Sequence, residues 1–139
     1  MGIEAKKGYV YLRRRMQFCA AHRMHHPDVE DSVFGACANL HGHNYVVEVI
    51  VRGRVDPKTG FVLDLKKLKE LMEKKIAKTL DHRNLDNDIP YFREKNLVQS
   101  AENICIFIWE QLVHEIPDGA ELYCVRLHET ENNMVEYYG

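Results

Sequence analysis

From Val10 to His22 the chain alternates between apolar and polar side chains. Val10, Leu12, Met16, Phe18, Ala20 and His22 share one parity, interrupted by Arg14. That period predicts a long β-strand with a mostly apolar face, ending in a histidine. The polar stretch from His25 through Ala36 reads as a loop. The run Asn44 to Arg52 is rich in β-branched residues and predicts a second strand. Asp56-Pro57-Lys58-Thr59-Gly60 has the chemistry of a turn, and a short strand, Phe61 to Leu63, is expected after it. Asp64 can cap a helix running to about Lys78, with Leu65, Leu68, Met72, Ile76 and Thr79 near one face. Leu80 to Pro90 reads as irregular and polar. Ser100 is placed to cap a second helix, to about His114, whose apolar stripe is Ala101, Ile104, Cys105, Ile108 and Leu112. Two last strands, Glu121 to Glu129 and Met134 to Tyr138, are joined by a turn at Thr130 to Asn133.

The order strand, strand, helix, helix, strand, strand predicts an α+β fold, with antiparallel pairs and both helices on one face of a single sheet. At 139 residues, with no internal repeat or linker, one domain over residues 1–139 is expected. Hydrophobic residues make up 45% and charged residues 29%, which argues against disorder. The net charge of −2 and the lack of an aromatic-basic stripe disfavour a nucleic-acid or membrane partner. The cluster Arg13-Arg14-Arg15 reads as a solvated or interface strand, with attraction of an anionic substrate as the alternative. The segment Met1 to Tyr9 has no apolar core of a secretory signal. Cys19, Cys37, Cys105 and Cys124 are scattered; three of them, Cys19, Cys105 and Cys124, read as buried small hydrophobes, and a reducing, cytoplasmic setting is expected.

His41-Gly42-His43 heads the second strand. Alternate residues of a strand share a face, so this pair presents two imidazoles together. With His22 it makes three neutral nitrogen donors, a set suited to a catalytic zinc with one open position. His25 and His26 compete as donors but lie beside Pro27 in the loop and read as solvent-exposed. Cys37, four residues before His41, could be a metal ligand, a thiolate base activated by the metal's field, or a thiol without a task. Asp81-His82 could complete a thiol-imidazole-carboxylate relay with Cys37, or simply end a helix. Glu129 ends an otherwise apolar strand face, and an inward carboxylate needs a partner. Two adjacent N–H donors of a planar ligand would satisfy it; Arg126 or Arg23 would do so as a salt bridge.

These segments resemble one family, that of 6-pyruvoyl-tetrahydropterin synthase and 6-carboxy-tetrahydropterin synthase. The residues that carry the resemblance are Phe18-Cys-Ala-Ala-His22-Arg23, Cys37-x-x-x-His41-Gly-His43-Asn-Tyr45, Asp56-Pro-x-Thr-Gly60-x-Val-x-Asp64-Leu65, Leu80-Asp-His-x-x-Leu85, Ser100-Ala-Glu-Asn103 and Glu129-Thr130. The resemblance implies zinc at His22, His41 and His43, proton transfer by Cys37, Asp81 and His82, and a pterin held by Glu129 and Glu102. It implies the tunnelling fold, in which four antiparallel strands and two helices per subunit assemble into a barrel, commonly a homohexamer with active sites between subunits. The implied reaction is a lyase step on 7,8-dihydroneopterin triphosphate with loss of triphosphate. The spacing Cys-x-x-x-His-Gly-His resembles the 6-carboxy branch, which releases acetaldehyde and feeds queuosine synthesis, and that product is expected here. The 6-pyruvoyl branch is the alternative, because Leu80 to Phe92 and Glu129-Thr-Glu-Asn-Asn133 resemble the biopterin enzymes. A non-catalytic zinc- or pterin-binding protein is the reading from another class.

Overall fold

A computed structural model describes residues 5–139; the first four residues, part of the N-terminal segment and of the single-domain expectation, lie outside the described residues. Two thirteen-residue strands carry the sheet, β1 (Val10–His22) and β2 (His41–Gly53). They run antiparallel in unbroken register, from Val10 opposite Gly53 to His22 opposite His41. A two-residue strand, β3 (Arg83–Asn84), lies parallel to the end of β1. On the other side β2 pairs with β4 (Ala120–His128), and β4 with β5 (Met134–Tyr137), both antiparallel. The sheet order is β3-β1-β2-β4-β5. The four expected antiparallel strands are therefore present, with a short parallel edge added.

Alternation sorts the two faces as the sequence predicts. Phe18, Ala20, Tyr45, Val47, Val49, Val125 and Leu127 are buried under the helices. The other face carries Arg13, Arg15, Gln17 and Glu48. Of the arginine run, Arg13 and Arg15 are exposed and Arg14 is half-buried; Arg13 lies 3.7 Å from Glu48.

The first helix, α1 (Leu65–Met72), is capped by Asp64, whose Oδ1 accepts from the Lys66 amide at 2.9 Å. Leu68, Met72, Ile76 and Leu80 are all fully buried. Steps of four residues drift about 40° each around a regular α-helix of 3.6 residues per turn. A π-helical stretch at Glu73–Ala77 widens the turn and keeps the last two side chains over the sheet, before the short α2 (Lys78–Leu80). The segment from Leu80 to Pro90 is more ordered than expected. Leu85 and Ile89 are buried anchors, Asn84 caps α3 (Leu85–Asp88), and Pro90 opens α4 (Pro90–Glu94). The long helix α5 (Ala101–Leu112) is capped by Ser100, whose Oγ accepts from the Asn103 amide at 3.2 Å. It buries Ile104, Cys105, Ile108 and Leu112, as its stripe predicts, and Phe107 in addition.

Two expectations fail. Phe61 to Leu63 is a bend, not a strand. Its backbone is engaged in the preceding turn, where the Asp56 amide donates to the Phe61 carbonyl at 2.9 Å, and Val62 packs over Gly53 instead of pairing. Cys19 is exposed, because it stands on the opposite parity of β1 from Phe18 and Ala20; Cys105 and Cys124 are buried as expected.

Candidate metal centre and active site

The β1–β2 register brings three histidines to one end of the sheet. His22 stands opposite His41, and Ala20 opposite His43, so His43 lies one alternation inward on the same face. One ligand nitrogen from each of His22, His41 and His43 lies within 4.8 Å of the others, and among the described residues this is the one cluster with metal-ligand geometry. Gly42, between the two β2 histidines, sits close to β1: a Cβ there would lie 3.3 Å from the Ala20 carbonyl oxygen.

Backbone carbonyls set two of the rings. His22 Nδ1 donates to the Gln99 carbonyl at 2.6 Å and His41 Nδ1 donates to the Asn39 carbonyl at 2.7 Å. Each Nε2 is then left as a bare lone pair, the form that binds metal. The two Nε2 atoms are 3.0 Å apart. Two lone pairs at that distance repel unless a cation lies between them, and neutral imidazole donors so arranged fit zinc. His22 is buried, and burial pushes its pKa down; the neighbouring His41 and His43 act in the same direction, against the Gln99 carbonyl and Glu129. The shift favours the neutral ring, the form that coordinates metal.

Glu129 follows the last residue of β4 and lies beside the triad, its Oε1 3.9 Å from His43 Nε2. Neither arginine weighed as its partner reaches it. Arg126 pairs with Glu48 at 3.0 Å and Glu136 at 2.9 Å, and Arg23 pairs with Asp31 at 2.9 Å while its Nε donates to the Ala38 carbonyl. Glu129 instead lines a cleft of about 360 Å³ together with Glu102, Ser100, Met24, Asn132 and Asn133. The two carboxylates singled out for ligand recognition thus share one cavity.

The Asp81-His82 pair is built differently. Asp81 Oδ1 accepts from the Cys19 amide at 2.8 Å and Oδ2 accepts from His82 Nδ1 at 2.8 Å. The His82 amide donates to the Cys19 carbonyl at 2.6 Å, and its backbone is left-handed, with φ of +60°. A left-handed histidine is uncommon and is held here by the edge of β1. The Cys19 amide and His82 together hold the Asp81 carboxyl below its ordinary pKa. The His82 side chain is 83% exposed and, with Gly42 and Asn84, lines a cavity beside the end of β1. Cys37 lies exposed in the 3-10 turn Gly35–Ala38, tied down by the Met24 amide, which donates to the Cys37 carbonyl at 2.9 Å. Within one chain the thiol makes no hydrogen bond to Asp81 or His82 among the described residues, and it is not a member of the histidine cluster.

Over residues 11–139 the chain matches the 6-pyruvoyl tetrahydropterin synthase family. The chain belongs to this family. It is 45% identical to the human 6-pyruvoyl tetrahydrobiopterin synthase, covering 92% of this chain and 90% of that one, and 44% identical to the Drosophila melanogaster enzyme, covering 93% and 79%. A solved 6-pyruvoyl tetrahydropterin synthase from Caenorhabditis elegans superposes with a TM-score of 0.86 at 42% identity, covering 94% of this chain and 96% of that one. Family membership fits the observed sheet and the histidine cluster.

His25 and His26 stay outside the cluster. His25 is exposed, 3.1 Å from Asp31 Oδ1, and the half-buried His26 accepts from the Asp28 amide at 3.1 Å. Sequence reasoning missed the carbonyls of Gln99 and Asn39 as orienting groups, since a backbone acceptor carries no residue signature. It also left Tyr45 without a role beyond the motif. Tyr45 is fully buried beside the triad, its ring centroid 5.5 Å from that of His43 and 6.2 Å from that of His22. Burial raises its pKa, and Glu129 adds to the rise, so its phenol is neutral.

Proposed function

We propose that this protein is a zinc-dependent 6-pyruvoyl-tetrahydropterin synthase, a lyase that converts 7,8-dihydroneopterin triphosphate to 6-pyruvoyl-tetrahydropterin and triphosphate. The observation that carries the reading is the pair of bare Nε2 atoms 3.0 Å apart, backed by His43 and flanked by Glu129. His22, His41 and His43 would hold the metal. When bound, zinc supplies a Lewis acid for the side-chain hydroxyls of the substrate.

The chain's own residues do the rest. Glu129, free of any arginine, accepts two N–H donors from the aminopyrimidine edge, and Glu102 in the same cleft supports it. Cys37, as thiolate, removes a proton from the substrate side chain. His82 returns a proton, its ring fixed by Asp81 so that Nε2 is the exchanging nitrogen. The electrons stay within the reduced pterin and its side chain, and triphosphate leaves with the C–O bonding pair. Because His82 is exposed, a second copy of the chain could supply the partner of its Nε2. This supports a homo-oligomer with sites between subunits, and we favour the hexamer. The exposed free thiols of Cys19 and Cys37 suit a reducing, cytoplasmic setting.

The product differs from the one expected from Cys37-x-x-x-His41 spacing. Relatives at 41–46% identity over nearly the whole chain, from animals and Dictyostelium discoideum, are 6-pyruvoyl enzymes by name, which favours that branch over the 6-carboxy one. The test is incubation of zinc-loaded protein with 7,8-dihydroneopterin triphosphate and identification of products by mass. A 6-pyruvoyl pterin is expected. Acetaldehyde with a 6-carboxy pterin would restore the other branch, and bound but unchanged substrate would make the protein a binding module.

A further inference from the structure

Tyr45 presents a polar atom that the folded chain leaves unanswered. Its side chain is fully buried, and its hydroxyl has no hydrogen-bond partner among the described residues. The ring itself is well held. It stacks on Phe18 with centroids 5.0 Å apart and planes 13° apart, and meets His43 edge-on. Phenylalanine would fill the same space without burying an unpaired hydroxyl, which costs stability. A hydroxyl in that position therefore calls for an acceptor in some state of the protein.

The sheet register identifies the acceptor. The last β2–β4 pair is Val46 opposite His128, and Val47 is opposite Leu127. Continued one step past the end of β4, the same register would put Tyr45 level with Glu129, the first residue after the strand. Residues directly opposite on one face are close neighbours, with Cβ atoms about 4.5–5.5 Å apart. The Glu129 carboxylate has no arginine partner, and its nearest cationic or imidazole group is His43 at 3.9 Å. A buried donor without an acceptor thus lies near a carboxylate with spare lone pairs, close enough for Glu129 to raise the Tyr45 pKa. Glu129 also closes the β4–β5 turn through its amide, which donates to the Asn133 carbonyl at 3.0 Å, so its backbone is fixed while its side chain can settle on a ligand.

We propose that Tyr45 is the positioning residue of the recognition carboxylate: its hydroxyl donates a hydrogen bond to Glu129, directly or through one water, when a pterin edge occupies the cleft. The bond aligns the carboxylate plane with the ligand's two N–H groups. This rests on the assignment of Glu129 to pterin recognition given above.

The test is a double-mutant cycle on the zinc-loaded protein, with 7,8-dihydroneopterin as the probe and its Kd read by fluorescence titration. Tyr45→Phe should weaken binding about tenfold or more, the loss expected for a hydrogen bond to a charged group. The same variant should keep wild-type zinc content and melt, without ligand, no lower than wild type, which a merely structural role would not allow. In a Glu129→Ala background the added Tyr45→Phe change should move the Kd less than twofold, because the acceptor it acts through is gone. A Kd for Tyr45→Phe within twofold of wild type, or losses that simply add across the cycle, would overturn the inference while leaving the pterin assignment standing. Wild-type protein that binds zinc but no pterin would overturn both.

Discussion

The histidine triad and the Asp81-His82 corner are held by the same strand, β1, yet they differ in completeness. The triad is finished within one chain. Unbroken β1–β2 pairing sets the spacing of His22, His41 and His43, and two backbone carbonyls choose which nitrogens are left free. The corner is anchored by the Cys19 backbone and pre-oriented by Asp81, but its imidazole is 83% exposed and, among the described residues, hydrogen-bonds to no side chain except Asp81. A metal site gains from rigidity, because donor distances must hold to tenths of an ångström. A proton-transfer group can be brought in from outside. Under the proposed function the difference separates two roles that one substitution at a time can pull apart.

The largest expected effect is at the triad. His41→Ala should abolish stoichiometric zinc, read by elemental analysis after dialysis, and lower turnover by about 10³-fold or more. The corner should behave otherwise. His82→Ala should keep full zinc content and lose about 10²- to 10⁴-fold in turnover, the range for a general acid–base group. Mixing Cys37→Ala protein with His82→Ala protein, after dissociation and reassembly, should recover activity that neither has alone. No recovery would mean that thiol and imidazole serve the same chain, and the comparison would fail.

A purely structural change sharpens the contrast from the far end of β2. A Cβ at Gly53 would run into the Gly119 carbonyl oxygen and lie 2.9 Å from Val62 Cγ1. Gly53→Ala should cost about 1–3 kcal/mol in denaturant unfolding without altering zinc content. The smallest effect concerns pH. Asp81 ionises below its ordinary value near 3.8 in the folded chain, so it stabilises the fold above that pH and loses the contribution as pH falls through its lower folded value. Asp81→Asn should therefore melt below wild type at pH 6, with the gap closing as the pH is taken below about 4.

Much of this was legible in the order of residues, for physical reasons. Alternation in β1, interrupted only at Arg14, predicted which face carries His22, and the pairing of an H-x-H run with that strand follows from side-chain period two. The stripe of α5 and its Ser100 cap were readable for the same kind of reason. Cys19 shows where a local apolar context misleads: parity along β1, not its neighbours, decides its exposure. Phe61 to Leu63 shows that apolar composition does not make a strand when no edge is offered to it. The π-helical stretch after Met72 answers a four-residue spacing, visible in Leu68, Met72, Ile76 and Leu80, that the helical face drawn through Thr79 overlooked. The carbonyls of Gln99 and Asn39 and the left-handed backbone of His82 depend on chain crossings that sequence spacing does not encode.

The most direct measurement is the zinc K-edge X-ray absorption spectrum of the zinc-loaded protein. Three imidazole nitrogens with an oxygen or nitrogen in the remaining position, at about 2.0–2.1 Å and with no sulfur, is the predicted first coordination sphere. A sulfur contribution at about 2.3 Å that disappears in Cys37→Ala would make the thiol a ligand, and would contradict an open metal position beside a free proton-transfer group.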